Sequence, residues 1–402
     1  MIERTTYLEK LKYWKDEQVI KVITGIRRCG KSTLLKQFQE NLKRQGVLNE
    51  QIIYLNFEEL DNENLLDYKS LYEYIKSHLV PQKMNYIFLD EIQNVSQYEK
   101  AVDSLYIKDN ADLYITGSNA YMLSSDLSTL LSGRYVEISM LPLSFAEYYE
   151  INKKDSKEDS FSDYMKFGGL PYIATMNRTD DKVDTYLEGI YNTVIVKDVE
   201  ERQKRTQSKK VVDTALLQSI SKYLMDVVGN PISINGIANY LCSNNRKVSS
   251  HTVNDYVDML TEAFVFYKAE RFDIKGKELL KTNAKYYAVD TGIRNHLISK
   301  KEFDLGFVLE NIVYLELLRR GYKVCIGKVG TKEVDFVAQK NDYKEYIQVS
   351  LNLSSEETFN REVSSLREIK DNFDKTILTL DKFTVGNYDG IIVKNVIDWL
   401  LN

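Results

Sequence analysis

The sequence predicts an α/β fold, a parallel sheet interleaved with helices, and three stretches carry that prediction. Val22-Ile23-Thr24-Gly25-Ile26-Arg27-Arg28-Cys29-Gly30-Lys31-Ser32-Thr33-Leu34-Leu35 reads as an apolar strand, a glycine-bounded loop and the start of a helix. Tyr86-Ile87-Phe88-Leu89-Asp90-Glu91 is an apolar run closed by two acids, the pattern of a buried parallel strand. Asp112 to Asn119 is a third strand, ending in small polar residues. Ligands of open α/β sheets bind at the carboxyl ends of such strands.

The first loop has the spacing GxxxxGK[ST]. Such a loop turns successive backbone N–H groups inward against a helix N-terminus, making a concave site for polyphosphate. Gly25 and Gly30 allow the backbone angles and the close approach that a side chain would block. Lys31 is placed to reach the β- and γ-phosphates, and Ser32 to offer its hydroxyl to Mg²⁺. The expected nucleotide-contacting set is therefore Gly25, Ile26, Arg27, Arg28, Cys29, Gly30, Lys31, Ser32 and Thr33, with ATP and Mg²⁺ as ligands. Asp90 is expected to hold the metal through water, and Glu91 to orient and deprotonate the attacking water. A glutamate is already ionised at neutral pH and needs no tuning for that task. Two solvated acids at a strand end are the plainer alternative.

Gln51 to Phe57 reads as the strand after the phosphate-loop helix, and Glu58 and Glu59 at its end either assist the metal or face solvent. Leu131-Ser132-Gly133-Arg134-Tyr135 puts an arginine just before an apolar run. Arginine spreads phosphate charge in a phosphoryl-transfer transition state. Arg134 is therefore a candidate for a catalytic or inter-subunit role, though a surface arginine at a strand start is equally ordinary.

Several motifs together resemble one family. They are the G-x-R-R-x-G-K-S loop (Gly25 to Ser32), the strand ending in Asp90-Glu91, the T-G-S-N stretch (Thr116 to Asn119), and L-S-G-R-Y followed by L-P-L-S-F-x-E-Y (Leu141 to Tyr148). The family is the prokaryotic AAA-type ATP-binding proteins whose C-terminal region has a nuclease-like fold, and the resemblance runs nearly the whole chain. It implies a P-loop NTPase core in which a polar residue after the third strand contacts the γ-phosphate or the catalytic water. Asn119 and Ser118 are the candidates, with a plain strand-to-loop turn as the other reading.

At 402 residues the chain is too long for one ordinary domain. No window approaches the 18 or so apolar residues of a membrane span, and the first residues lack a signal-peptide core, so the cytoplasm is expected. Cys29, Cys242 and Cys325 are far apart, which indicates neither a disulfide framework nor a zinc site. Cys29 lies inside the phosphate loop, where a small filler and a redox switch are the two readings. His78, His251 and His296 give no ligand spacing. A net charge of −5 excludes the chain as a whole from electrostatic nucleic-acid binding, so any such activity needs a local patch.

Pro142 opens a helical stretch, Asn152 to Ser160 reads as a charged loop, and Phe167-Gly168-Gly169-Leu170-Pro171 breaks between helices without evident chemistry. Helical spacing then runs through Val211–Val228, Ser233–Leu241 and Ser249–Leu260. A hairpin follows through residues 263–285 and on to Val289. Three helices and a hairpin is the winged-helix order, whose third helix reads DNA. Here that helix carries Asp255, Asp258 and Glu262, whereas the hairpin carries Lys268, Arg271, Lys275, Lys277, Lys281 and Lys285. DNA contact through the hairpin and docking of a protein partner both remain open.

The last hundred residues read as an amphipathic helix, Val308 to Gly321, then strands around Glu333–Ala338 and Tyr346–Ser350. This order resembles the PD-(D/E)xK nuclease fold, with Glu310 and Asp335 as metal-binding acids. Gln348 and Ser350 stand where that pattern has an acid and a lysine. A neutral amide is a far weaker Mg²⁺ ligand and serine cannot replace the cation, so the expected domain keeps the fold and has lost cleavage. If another residue supplied the cation, Lys344 would be the first candidate.

The expected architecture is a P-loop AAA-type core (1–142), a helical extension (143–208), a winged-helix-like domain (209–300) and an α/β restriction-endonuclease-like domain (301–402). The expected function is Mg-ATP binding and hydrolysis that switches C-terminal DNA- or protein-binding domains. The alternatives are a nucleotide-dependent DNA- or partner-binding protein with slow turnover, and an ATP-gated nuclease. Self-association is a further expectation.

Overall fold

The computed structural model describes residues 2–117, 133–193, 213–298 and 305–402. Ser118, Asn119, Leu131 and Ser132 lie outside the described residues, as does the side chain of Lys281. The chain divides into two compact units: Met1–Met140 with Glu262–Phe264, and Leu141–Thr261 with Val265–Asn402.

The first unit is a five-stranded sheet with helices: α1 (Thr5–Tyr13), β1 (Ile20–Thr24), α2 (Lys31–Arg44), β2 (Ile52–Asn56), α3 (Tyr68–His78), β3 (Asn85–Asp90), α4 (Tyr98–Tyr106), β4 (Ala111–Gly117) and β5 (Tyr135–Ser139). The order across the sheet is β2-β3-β4-β1-β5, and every pairing is parallel. Strands β1 and β3 are buried along their whole length, which is why they read as continuous apolar runs rather than alternating ones. Ile20, Val22, Ile87, Leu89, Leu113 and Ile115 pack with Leu71, Ile75, Val102 and Leu105 of the helices in one core. At the amino end of the sheet Lys21 and Asp112 form a fully buried ion pair, joined by the Tyr114 hydroxyl and the Asp16 N–H. Burial pushes Asp112 up and Lys21 down, and each partner's charge opposes the other's shift.

The second unit opens with helices α5 (Phe145–Ile151), α6 (Lys157–Phe167), α7 (Pro171–Thr175) and α8 (Asp180–Asn192). The S-F-x-E part of the L-P-L-S-F-x-E-Y motif is a capping box, in which Ser144 Oγ accepts from Glu147 N–H and Glu147 accepts from Ser144 N–H. Pro171 fills the first turn of α7. Helices α9 (Thr214–Asp226), α10 (Ile234–Ser243) and α11 (Ser250–Glu262) precede a hairpin of β6 (Phe266–Asp273) and β7 (Glu278–Ala288), then α12 (Thr291–Leu297). The loop before α10 pairs with β7 through an Ile232–Ala284 bridge.

Beyond the hairpin come α13 (Leu305–Arg319), β8 (Lys323–Val329), β9 (Lys332–Lys340), β10 (Tyr343–Ser350), α14 (Glu356–Arg367), β11 (Asp374–Thr379), β12 (Gly386–Tyr388), β13 (Ile391–Asn395) and α15 (Val396–Leu401). All eight strands from β6 onward form one sheet, ordered β12-β13-β11-β10-β9-β8-β6-β7. Residues 271–273 of β6 pair in parallel with 326–328 of β8. The expected boundary at 300 therefore cuts through a hydrogen-bonded sheet: the hairpin is not a free wing but the sheet's far edge. Local periodicity cannot show this, because the pairing joins segments some fifty residues apart.

Phe167-Gly168-Gly169-Leu170-Pro171, expected only as a helix breaker, wraps a buried carboxylate. Asp290 Oδ2 accepts from Gly169 N–H at 2.7 Å, and Oδ1 caps α12 by accepting from Ile293 N–H at 3.1 Å. A Cβ at Gly168, whose φ is +76°, would sit 2.2 Å from Asp290 Oδ1, so this approach requires glycine. Burial pushes Asp290 up to about 6 against these backbone hydrogen bonds, which lower it.

Candidate functional site

At the carboxyl edge of the first sheet, the loop after β1 delivers its N–H groups to the start of α2. Gly30 caps that helix in the left-handed region, with φ +104°. Gly25 has φ +143°, and a Cβ there would lie 2.2 Å from the Met140 carbonyl oxygen. Ile26 and Cys29 are buried beneath the loop, Arg28 is exposed, and Arg27, Ser32 and Thr33 are half-buried. Arg27 pairs with Glu58 at 3.0 Å, so Glu58 holds the loop's flank. Cys29 is a packed filler: burial pushes its thiol up, which disfavours the reactive thiolate.

Lys31 is 4% exposed. Its Nζ donates to the Gly25 carbonyl at 3.1 Å and lies 3.6 Å from Glu91 Oε1. Asp90 is held from both neighbouring strands. The Tyr54 hydroxyl of β2 donates to Asp90 Oδ2 at 2.9 Å, and the Thr116 hydroxyl of β4 donates to Asp90 Oδ1. Thr116 Oγ1 also accepts the Glu91 N–H at 2.9 Å, and Gln93 donates to the Glu91 carboxylate. Glu91 takes a left-handed backbone, φ +54°, which turns its side chain out of the strand direction at the edge. Loop, lysine and both acids thus meet at one edge of the sheet.

Three contributors escape the sequence reading. Thr116 stands in the T-G-S-N stretch, but its contact with both acids depends on how the strands are ordered; Tyr54 has no distinguishing signal. The third is Arg4, 2% exposed, whose guanidinium donates to the Cys29 carbonyl at 2.9 Å and ties the N-terminal segment to the phosphate loop. Nothing in its sequence context marks it.

Arg134 is not brought to this site. Its carbonyl accepts Ile20 N–H, at the opposite end of β1 from the loop. Five residues of strand at roughly 3.3 Å each put about 16 Å between the two ends. Its guanidinium lies over the Tyr106 ring and 3.9 Å from Asp103. The strand thus carries Arg134 away from the phosphate edge of its own sheet. Asn119 lies outside the described residues.

In the second unit Glu310, Glu333 and Asp335 converge, and the cation among them is Lys285 of β7. Its Nζ lies 3.0 Å from Glu310 Oε1 and 2.7 Å from Glu333 Oε1. The Tyr287 hydroxyl donates to the same Glu310 oxygen at 2.6 Å. Lys285, expected to serve a DNA-facing hairpin, is 3% exposed and unavailable to DNA. Burial alone would lower it, but Glu310, Asp335 and Glu333 hold the ammonium above the ordinary lysine range. Burial raises Asp335 well above the carboxylate range, and the charge of Glu310 adds to the shift. Gln348 Oε1 accepts from Asp335 N–H at 3.2 Å, and its amide donates to Glu362 at 2.8 Å. Ser350 bonds the Asn352 carbonyl, and Lys344 sits over the Phe272 and Phe373 rings, so neither serves the acids. Sequence reasoning misses Lys285 here because it arrives from a hairpin assigned to another domain.

The parallel order β2-β3-β4-β1-β5, with a phosphate loop after β1 and an acid pair after β3, defines a P-loop ATPase core of the AAA type. A model described as an AAA domain matches residues 17–149, and a domain of unknown function matches residues 158–304. An uncharacterised protein of Haemophilus influenzae is 42% identical, covering 100% of this chain and 99% of its own length. An uncharacterised protein of Methanocaldococcus jannaschii is 31% identical over 93% of this chain and 86% of its own. The chain belongs to the family of these two proteins, with an AAA domain at its amino end. The fold is similar to that of a Walker-type ATPase of Pyrococcus abyssi, with a TM-score of 0.50 and 16% identity, covering 74% of this chain and 96% of that one. No helix among the described residues is long and apolar enough to cross a membrane.

Proposed function

We propose that the first unit hydrolyses Mg-ATP and uses the nucleotide state to switch binding modules in the second. The observation that carries this reading is the meeting of Lys31 and Glu91, 3.6 Å apart, beneath the N-terminus of α2. The donor set fits the ligands: N–H groups and an ammonium for phosphates, Ser32 and Asp90 for Mg²⁺. Magnesium would neutralise phosphate charge. Glu91 accepts the proton of the attacking water, Thr116 orients Asp90 and Glu91 together, and Lys31 exchanges its carbonyl partners for phosphate oxygens. Glu91→Gln should keep ATP bound and slow hydrolysis by about 10²–10⁴, the span of a lost general base. Wild-type turnover in Glu91→Gln would remove this residue from the chemistry.

The second unit carries three helices in winged-helix order, with their hairpin built into a nuclease-like sheet that lacks cleavage chemistry. Supporting the latter are Gln348 and Ser350 in place of acid and lysine. For DNA, the exposed hairpin cations among the described side chains are Lys268, Lys275 and Lys277. Steady-state hydrolysis with and without DNA separates a DNA-coupled ATPase from one that answers to a protein partner. ATP-dependent sizing tests self-association.

A further inference from the structure

A nuclease-like fold implies a divalent ion at the acids of the second unit, and the residues present do not fit one. An octahedral Mg²⁺ needs near-ideal geometry with oxygen ligands at about 2.0–2.1 Å. Here the Glu310 Oε1 atom already accepts from both Lys285 and Tyr287, and Glu333 Oε1 from Lys285. Asp335 Oδ2 accepts the Val349 N–H at 2.8 Å, and the Gln348 side chain is spent between the β9 backbone and Glu362.

We propose that the Lys285 ammonium is the resident cation of this cluster, closing it to divalent ions and pinning the hairpin edge of the sheet to α13 and β9. A metal ion must be captured from solution, whereas this cation is covalently part of β7 and arrives whenever the sheet forms. The proposal rests on the nuclease-like reading only for which ion the lysine displaces. Charge and reach support it. The ammonium sits within 3.0 Å of carboxylates from both α13 and β9, and its own side chain is 3% exposed. A divalent ion there would meet a like charge at close range.

The test is Mn²⁺ binding by the nucleotide-free full-length chain, read by electron paramagnetic resonance, with thermal melts in chelator and in millimolar Mn²⁺. Wild type should bind no Mn²⁺ that Glu310→Gln removes, and should melt identically in both media. Lys285→Met should melt lower in chelator, gain Mn²⁺ affinity at least tenfold, and recover stability with the metal; adding Glu310→Gln should abolish that gain. Wild-type Mn²⁺ binding that disappears in Glu310→Gln would overturn the proposal while leaving the nuclease-like reading intact. A folded Lys285→Met that binds no Mn²⁺ would overturn the proposal and leave the nuclease-like fold reading standing. Should Lys285→Met not fold, the wild-type comparison with Glu310→Gln still decides whether the acids are closed.

Discussion

Lys31 and Lys285 are buried almost equally, 4% and 3% exposed, and each faces glutamate, yet their surroundings differ in kind. Lys31 donates to a peptide carbonyl and stands 3.6 Å from one carboxylate; Lys285 lies at 2.7 and 3.0 Å from two. Carbonyl dipoles hold an ammonium in place without cancelling its charge, whereas two carboxylates neutralise it. On the proposed function, the first arrangement serves an anionic ligand, whereas the second consumes the cation in the fold. Sequence alone inverts part of this, since Lys285 reads as an exposed hairpin base.

Exchanging each lysine for methionine should separate the two roles most widely. Lys285→Met leaves buried acids uncompensated and should cost about 3–5 kcal/mol of stability with little change in nucleotide affinity. Lys31→Met should lower ATP affinity about 10- to 100-fold, the worth of a charge-assisted hydrogen bond, and cost less stability than Lys285→Met, since it strands one carboxylate at 3.6 Å rather than two at closer range. Calorimetry with and without ATP reads both quantities. Equal destabilisation by the two substitutions would erase the distinction.

Asp290 offers a third kind of buried charge, one balanced by N–H groups alone. Asp290→Ala orphans the Gly169 and Ile293 N–H groups and should cost about 1–3 kcal/mol. Its folded value, about 6, lies above the ordinary 3.8, so the folded state binds the proton more tightly than the unfolded one. That contribution is complete below about pH 4 and is lost as the pH rises through 6. Asp290→Asn should therefore flatten the stability profile between pH 4 and 6 relative to wild type, in denaturant titrations. A profile unchanged by the substitution would show that another group sets it.

Exposed cations should matter far less. Lys275 lies 3.9 Å from Glu368 at an open turn, and Lys277 is exposed beside it. If the hairpin touches DNA, replacing both with Glu should reduce the slope of log affinity against log salt by about 0.9 for each phosphate the hairpin no longer neutralises. Binding that keeps its slope would move the DNA-binding surface elsewhere, and no binding at low salt would favour a protein partner.

What the sequence reveals follows distance along the chain. The phosphate loop is contiguous, and Asp90-Glu91 ends a strand whose apolar run announces its burial, so both are legible from spacing alone. Thr116, Tyr54 and Arg4 reach the same site from other segments, and their roles exist only once the strands are ordered β2-β3-β4-β1-β5. The hairpin is visible locally, but its membership of the eight-stranded sheet depends on pairing with β8, which no local pattern records. Phe167 to Pro171 reads only as a breaker for the same reason: its partner, Asp290, lies over a hundred residues away.

Arg134 tests whether a motif arginine acts on its own subunit or on a neighbouring one. An arginine finger contributes on the order of 10³–10⁵ in rate, and the residue's place before β5 invites that assignment. The fold sets it instead at the amino end of the sheet, where it covers Tyr106 and neighbours Asp103, whose carboxyl is raised by burial and lowered by this guanidinium. An exposed pair of this kind contributes about 0–1 kcal/mol. In a dilute, monomeric preparation Arg134→Ala should therefore change turnover by no more than about twofold and stability only slightly. Activity should be followed across protein concentration in both forms. A wild-type rate that climbs with concentration while Arg134→Ala stays flat would show the arginine acting on a neighbouring copy. A thousandfold loss already present in the monomer would contradict the strand geometry that separates it from Glu91.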